Sequence, residues 1–219
     1  MKKDIPIYQI QIDELENMIV DMVSIVDAPA IQKSFIAFSD ESKTPKNVSN
    51  YKFSNDEKMQ LLGVAMIPDL PIYRYDEDTK EEFYVEFSKV EIEKIVQVFM
   101  KNGLTKKMNI EHTSKSANSY IFQSFIVDDK IQAPEMLGDV LLGSWIIGVQ
   151  VEDAELWKDI KAGKRNGFSV EGLFKLLETN KVIKEDYKVN IDLSDKTDYK
   201  KECENQFKIL ENYLKYLSK

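Results

Sequence analysis

One serine and one histidine are the residues with which this chain could do covalent chemistry. Ser169 lies in Asn166-Gly167-Phe168-Ser169-Val170-Glu171-Gly172, an apolar, strand-like run bracketed by glycines. A serine hydroxyl is a weak nucleophile until a base removes its proton. Histidine suits that task, because an ordinary imidazole accepts and returns protons near neutral pH. The chain has a single histidine, His112, in Met108-Asn109-Ile110-Glu111-His112-Thr113. A third group generally orients the imidazole, and backbone N–H groups face the developing oxyanion. On a strand, residues two apart point to one side, so Glu171 shares the side of Ser169. Gly167 and Gly172 permit the close backbone approach such a site needs. Spacing alone does not select these residues. Serine and histidine co-occur in most proteins, and with 38 Asp and Glu in the chain a third member cannot be chosen by counting.

Composition narrows the alternatives. The chain has 219 residues, 43% hydrophobic and 31% charged, with a net charge of −8. That is an ordinary globular composition, long enough to bury a sizeable core. The acidic balance argues against a nucleic-acid partner, which would need a basic face, and against docking on anionic membranes. One cysteine, Cys203, allows no intrachain disulfide. One cysteine with one histidine excludes the usual zinc site. A carboxylate site for magnesium or calcium stays open on composition, but no EF-hand spacing is present, and neither metal nor cofactor is expected. No run reaches the length of a transmembrane helix, and the N-terminus lacks the apolar core of a signal peptide; a cytosolic protein is expected.

The elements that must position these residues follow from periodicity. Strands are expected at 5–12, 22–27, 34–39, 59–67, 72–75, 82–87, 108–112, 119–127 and 142–151, and from the Ser169 run on to Leu177. Ser88 with Glu91 three residues on forms a capping box before a helix that stops at Asn102-Gly103. Asp153 caps a second, short helix over 154–164. Residues 40–55 are polar and read as a surface loop. Helices do not alternate with strands, so a doubly wound parallel sheet is not expected. The fold class read here is α+β, a closed or partly closed, mainly antiparallel β-barrel with flanking helices. The expected organisation is a domain over 1–179, a polar linker over 180–198 and a C-terminal amphipathic helix over 199–219. In that helix Tyr199, Cys203, Phe207, Leu210, Leu214 and Leu217 form a narrow stripe. The stripe either packs on its own domain or mediates self-association or scaffold contact.

Four segments taken together resemble the phage prohead (capsid maturation) serine proteases of the XkdF-like family. The first is Val23-Ser24-Ile25-Val26-Asp27-Ala28-Pro29-Ala30-Ile31, leading to Phe35-Ile36. The second is Gly63-Val64-Ala65-Met66-Ile67-Pro68 with Ile72-Tyr73-Arg74. Third come Asn109-Ile110-Glu111-His112 and Gln123-Ser124-Phe125-Ile126-Val127. The fourth runs from Gly143-Ser144-Trp145 through Trp157-Lys158-Asp159-Ile160-Lys161-Ala162-Gly163 to the Ser169 run. The Asn-Ile-Glu-His run is also similar to the histidine motif of the herpesvirus assemblins. The resemblance implies an assemblin-like barrel, with Ser169 as nucleophile and His112 as general base. In relatives a glutamate often stands where this chain has Gln123, so Glu171 becomes the preferred third member. The implied role is a serine endopeptidase that cleaves scaffold and major capsid protein segments inside the assembling procapsid, in the host cytoplasm. The alternative is a non-catalytic capsid assembly or scaffold component on the same fold.

Overall fold

The structure, a computed structural model, describes residues 4–15, 19–38, 58–76 and 78–184. The expected loop at 40–55, most of the linker and the helix at 199–219 lie outside the described residues. The chain forms two compact units, Ile7–Thr179 and a smaller one made of Met1–Pro6 with Asn180–Lys219. Of the smaller unit only short strand ends, 4–6 and 180–184, are described.

Among the described residues eleven strands and two α-helices follow one another in a mixed α+β order. The strands are β1 (Asp4–Gln11), β2 (Val20–Val26), β3 (Ile36–Phe38), β4 (Gln60–Met66), β5 (Ile72–Tyr75) and β6 (Glu82–Glu86), followed by helix α1 (Lys89–Lys101). After it come β7 (Met108–Ile110), β8 (Ser119–Ile126), β9 (Trp145–Val151), helix α2 (Ala154–Lys161), β10 (Gly167–Gly172) and β11 (Lys175–Lys184). Most of these begin and end close to where alternation and caps place them. Ser88 Oγ accepts from the Glu91 N–H at 3.2 Å, as expected of an N-cap. The other half of the capping box is redirected: Glu91 Oε1 accepts the Ile12 N–H at 2.5 Å, tying α1 to the end of β1. Asp153 caps α2 through the N–H groups of Glu155 and Leu156.

The sheets differ from the expected barrel. There are three, in orders β10-β2-β7, β3-β4-β9-β8 and β11-β1-β6-β5, and among the described residues none closes on itself. Two pairings, β1 with β6 and β2 with β7, are parallel. Closure needs a stagger between neighbouring strands that is set by tertiary packing, and alternation along one strand carries no information about it. The single strand expected from Ser169 to Leu177 is two strands. The register of β10 shifts between Glu171 and Gly172, and the chain then passes through exposed Leu173 before β11 begins.

The core sits between these sheets and α1. Trp145, Phe35, Phe99 and Phe168 are its largest fully buried side chains. Phe99 of α1 meets Trp145 edge-on at 5.4 Å, and Phe35 lies 5.1 Å from Phe168. Trp145 Nε1 donates to Ser124 Oγ at 2.9 Å, which satisfies the one polar atom that its burial takes from water. Phe168 therefore anchors β10 in the core one residue before Ser169, and the pleat turns Ser169 to the other face.

Candidate active site

Strand β2 is the centre of the sheet that carries the site. β10 pairs with it antiparallel, setting Ser169 opposite Ser24, and β7 pairs with it parallel, setting Asn109 opposite the same Ser24. Directly paired residues project from one face of a sheet. Ser169, Ser24 and Asn109 thus form a row across three strands, and Glu171, two residues beyond Ser169, stands on the same face. Both glycines that bracket Ser169 are required by close approach. A Cβ on Gly167 would lie 2.8 Å from Lys33 O and closer still to Pro29, and one on Gly172 would lie 2.8 Å from Val20 Cα.

His112 reaches this row from a tight turn just past β7. Glu111 and His112 both adopt left-handed backbone, with φ of 54° and 53°, and Thr113 N–H donates to Ile110 O at 3.1 Å. Two consecutive positive φ values closed by that bond are the mark of a type I′ turn. Neither residue is glycine, so the turn carries strain on the order of 1–3 kcal/mol per residue. Surrounding contacts hold it. Glu111 N–H donates to Ile25 O at 3.2 Å, and Glu111 Oε1 accepts the Asp27 N–H at 2.7 Å. Arg165 Nη1 lies 3.4 Å from the same carboxylate oxygen. Asn166 Nδ2 donates to Asp27 Oδ1 at 2.8 Å, so the end of β2, the histidine turn and the start of β10 are laced together.

The imidazole then meets the row. His112 Nδ1 lies 3.2 Å from Glu171 Oε1 and 3.1 Å from Ser24 Oγ. Asn109 Nδ2 donates to Glu171 Oε1 at 2.7 Å, and Ser24 Oγ lies 2.5 Å from Asn109 Oδ1. Ser24 Oγ is also in short contact with Glu171 Oε1, so that its one hydroxyl proton is shared between this carboxylate and Asn109 Oδ1. The ring is 45% exposed and the Glu171 side chain 27%, whereas Ser24 has no exposure. Ser169 keeps 6% and makes no side-chain hydrogen bond to any described residue. A histidine with a carboxylate at one ring nitrogen and its other nitrogen open can accept a proton from a nearby hydroxyl and stabilise the resulting cation.

Of the residues expected from the sequence, His112 and Glu171 are in direct contact, and Ser169 occupies the same sheet face without a hydrogen bond to the ring. Gln123 lies on β8 in a different sheet, against Gly148. The residues that sequence reasoning passed over are Ser24 and Asn109. Each is a lone buried polar side chain in an apolar strand run, Val23-Ser24-Ile25-Val26 and Met108-Asn109-Ile110. That is the signal that could have singled them out. Among the described residues no group of three or more His, Cys, Asp or Glu side chains could hold a metal ion, and no helix is long and apolar enough to cross a membrane.

Comparison with known proteins agrees with the four-segment resemblance. Residues 47–178 match the family described as "Putative phage serine protease XkdF". The chain is 29% identical over 177 residues to the "Phage-like element PBSX protein XkdF" of Bacillus subtilis (strain 168), covering 78% of this chain and 58% of that protein. It is 26% identical over 168 residues to the "Uncharacterized protein YqbD" of the same organism, covering 75% of this chain and 48% of that protein. The chain thus spans about half the length of these curated relatives. No solved structure matches. Asn109, His112, Ser169 and Glu171 fall inside the matched stretch, and Ser24 precedes it. With more than half of its length matched, the chain belongs to the XkdF family, whose description is "Putative phage serine protease XkdF".

Proposed function

We propose that the chain is a serine endopeptidase of phage procapsid maturation, with Ser169 as nucleophile, His112 as general base and Glu171 behind the imidazole. One observation carries this reading: His112 Nδ1 lies 3.2 Å from Glu171 Oε1, on the sheet face that Ser169 shares. With Nδ1 turned to the carboxylate, Nε2 is the nitrogen left to take the Ser169 proton. Oγ then forms a bond to the scissile carbonyl carbon, and the imidazolium is stabilised by Glu171. The imidazolium returns the proton to the amine as the C–N bond breaks. Water, activated by the same nitrogen, releases the acyl group. Contact between serine and base commonly tightens only when substrate is bound, which is consistent with an unpaired Ser169 hydroxyl here.

The substrates proposed are segments of scaffold and major capsid protein, cut inside the assembling procapsid in the host cytoplasm. The family description and the name of the PBSX relative support the phage setting. The proposed relation to assemblins rests on the similarity of the Asn109-Ile110-Glu111-His112 run to their histidine motif. Strand β11 takes up residues 180–184 of the stretch expected as linker; residues 185–198 are proposed as linker, and the stripe from Tyr199 to Leu217 as a tether to scaffold or to a second copy. Removing residues 196–219 is expected to lower incorporation into procapsids.

The test is co-expression with capsid and scaffold proteins, read by gel. The wild-type chain is expected to process them, and Ser169→Ala and His112→Ala chains to leave them intact while melting near the wild-type temperature. Processing at the wild-type rate by His112→Ala would end this reading. A second reading, a non-catalytic assembly or scaffold component, is favoured by the absence of a Ser169–His112 hydrogen bond. It predicts that no serine-directed probe labels the chain and that Ser169→Ala assembles normal particles.

A further inference from the structure

We infer that Ser24 and Asn109 are positioning residues that fix the Glu171 carboxylate and the Nδ1 edge of His112, and that Ser24 is not the nucleophile. The inference rests on the proposed endopeptidase reading and adds two residues to it.

Ser24 is the serine that actually touches the imidazole, at 3.1 Å from Nδ1, so it must be weighed as the nucleophile first. Two observations exclude it. A triad uses both ring nitrogens, the carboxylate at one and the serine at the other. Ser24 Oγ and Glu171 Oε1 both lie at Nδ1, so a ring oriented by Glu171 cannot present its basic nitrogen to Ser24. Ser24 is also wholly enclosed, and a peptide carbonyl cannot reach its oxygen without displacing the Asn109, His112 and Glu171 side chains that contact it. Ser169 stands directly opposite in the register and retains some exposure.

What Ser24 and Asn109 do follows from their hydrogen-bonding capacity. Ser24 has one proton to give and lone pairs to accept with; Asn109 has an amide that donates at one end and accepts at the other. Asn109 Nδ2 donates to Glu171 Oε1 at 2.7 Å and its Oδ1 faces Ser24 Oγ at 2.5 Å. Ser24, Asn109 and the ring therefore converge on one carboxylate oxygen. Glu171 is the penultimate residue of β10, at a register shift, and has a flexible side chain, so without these partners several rotamers are open to it. Locating them on β2 and β7 makes the carboxylate position a property of the sheet rather than of the β10 terminus.

The experiment uses the full chain and a fluorophosphonate probe, with the labelled residue mapped by mass spectrometry and the labelling rate followed over time. The expected result is a label on Ser169, slowed about 10- to 100-fold in Ser24→Ala and in Asn109→Ala, the range for losing a hydrogen bond to a charged group. Melting temperatures of the two variants serve as the folding control. In a Glu171→Gln background each further substitution is expected to add little, because both act through that carboxylate. A label on Ser24 overturns the inference while leaving a serine hydrolase. Wild-type labelling of Ser169 in both single variants, or full additivity with Glu171→Gln, overturns the positioning role alone. Absence of any label on the wild-type chain, together with absence of processing, removes the endopeptidase reading and this inference with it.

Discussion

Strand β9 sends Trp145, Ile146, Ile147 and Val149 into the core with no exposure, and every one of them is apolar. Strand β2 is as deeply buried at its centre, yet carries Ser24 there, and its neighbours bring Asn109 and Ser169 to the same face. Strands β2 and β9 are each seven residues long, but their sheets follow different rules. In the β9 sheet, stability comes from apolar area removed from water. On one face of the β2 sheet, area is given up for polar groups that are tolerable only because they bond one another. A buried polar row is a poor way to hold a sheet together and a good way to hold a carboxylate and an imidazole in one geometry. The left-handed pair Glu111 and His112 falls beside the polar row.

The comparison predicts that substitutions in the two sheets separate activity from stability. The largest effect is expected from His112→Ala, which should lower probe labelling and processing by at least about a thousandfold, because base and imidazolium are both lost. Its melting temperature should move little, since the ring is 45% exposed. Trp145→Ala should do the reverse, lowering unfolding free energy by about 3–5 kcal/mol in urea titration. Labelling of the folded fraction should stay near wild type. If Trp145→Ala silences the site without unfolding the chain, the division of labour between sheets is wrong. Glu171→Gln keeps shape and removes charge; a loss of about 10- to 100-fold in labelling rate is expected with near-normal stability. An unchanged rate would mean the carboxylate is scenery. The smallest effect belongs to the surface. Lys164 Nζ donates to Asp159 Oδ1 at 3.0 Å, and that bond holds the Asp159 carboxyl below its ordinary value. Lys164→Ala should raise it in an NMR titration and leave labelling untouched, although Lys164 is only five residues from Ser169 in sequence.

Much of the scaffold was legible because it is written in local periods. Alternation located nearly every described strand, Ser88 and Asp153 announced the two described helices, and the glycines around Ser169 allowed for a close backbone approach, which the structure makes with Pro29, Lys33 and Val20. The pairing of Glu171 with the side of Ser169 followed from a two-residue strand period. Parallel pairing of β1 with β6 and β2 with β7 was not legible, and neither was the separation into three sheets. The break at Leu173 was also hidden, because the apolar run from Phe168 to Leu177 hides a register shift that only the partner strand imposes.

By itself the sequence determined the cast: one imidazole, a serine between two glycines, a carboxylate two residues on, and strands short enough to present them. Those are consequences of residue type and local period. Which groups would meet the imidazole was decided only by tertiary structure. Ser24 and Asn109 are 85 residues apart in the chain, and Ser24 and Glu171 are 147 apart. Their meeting depends on the order and register of β10, β2 and β7. Register is a property of pairs of strands packed against a common core, and no single strand encodes it.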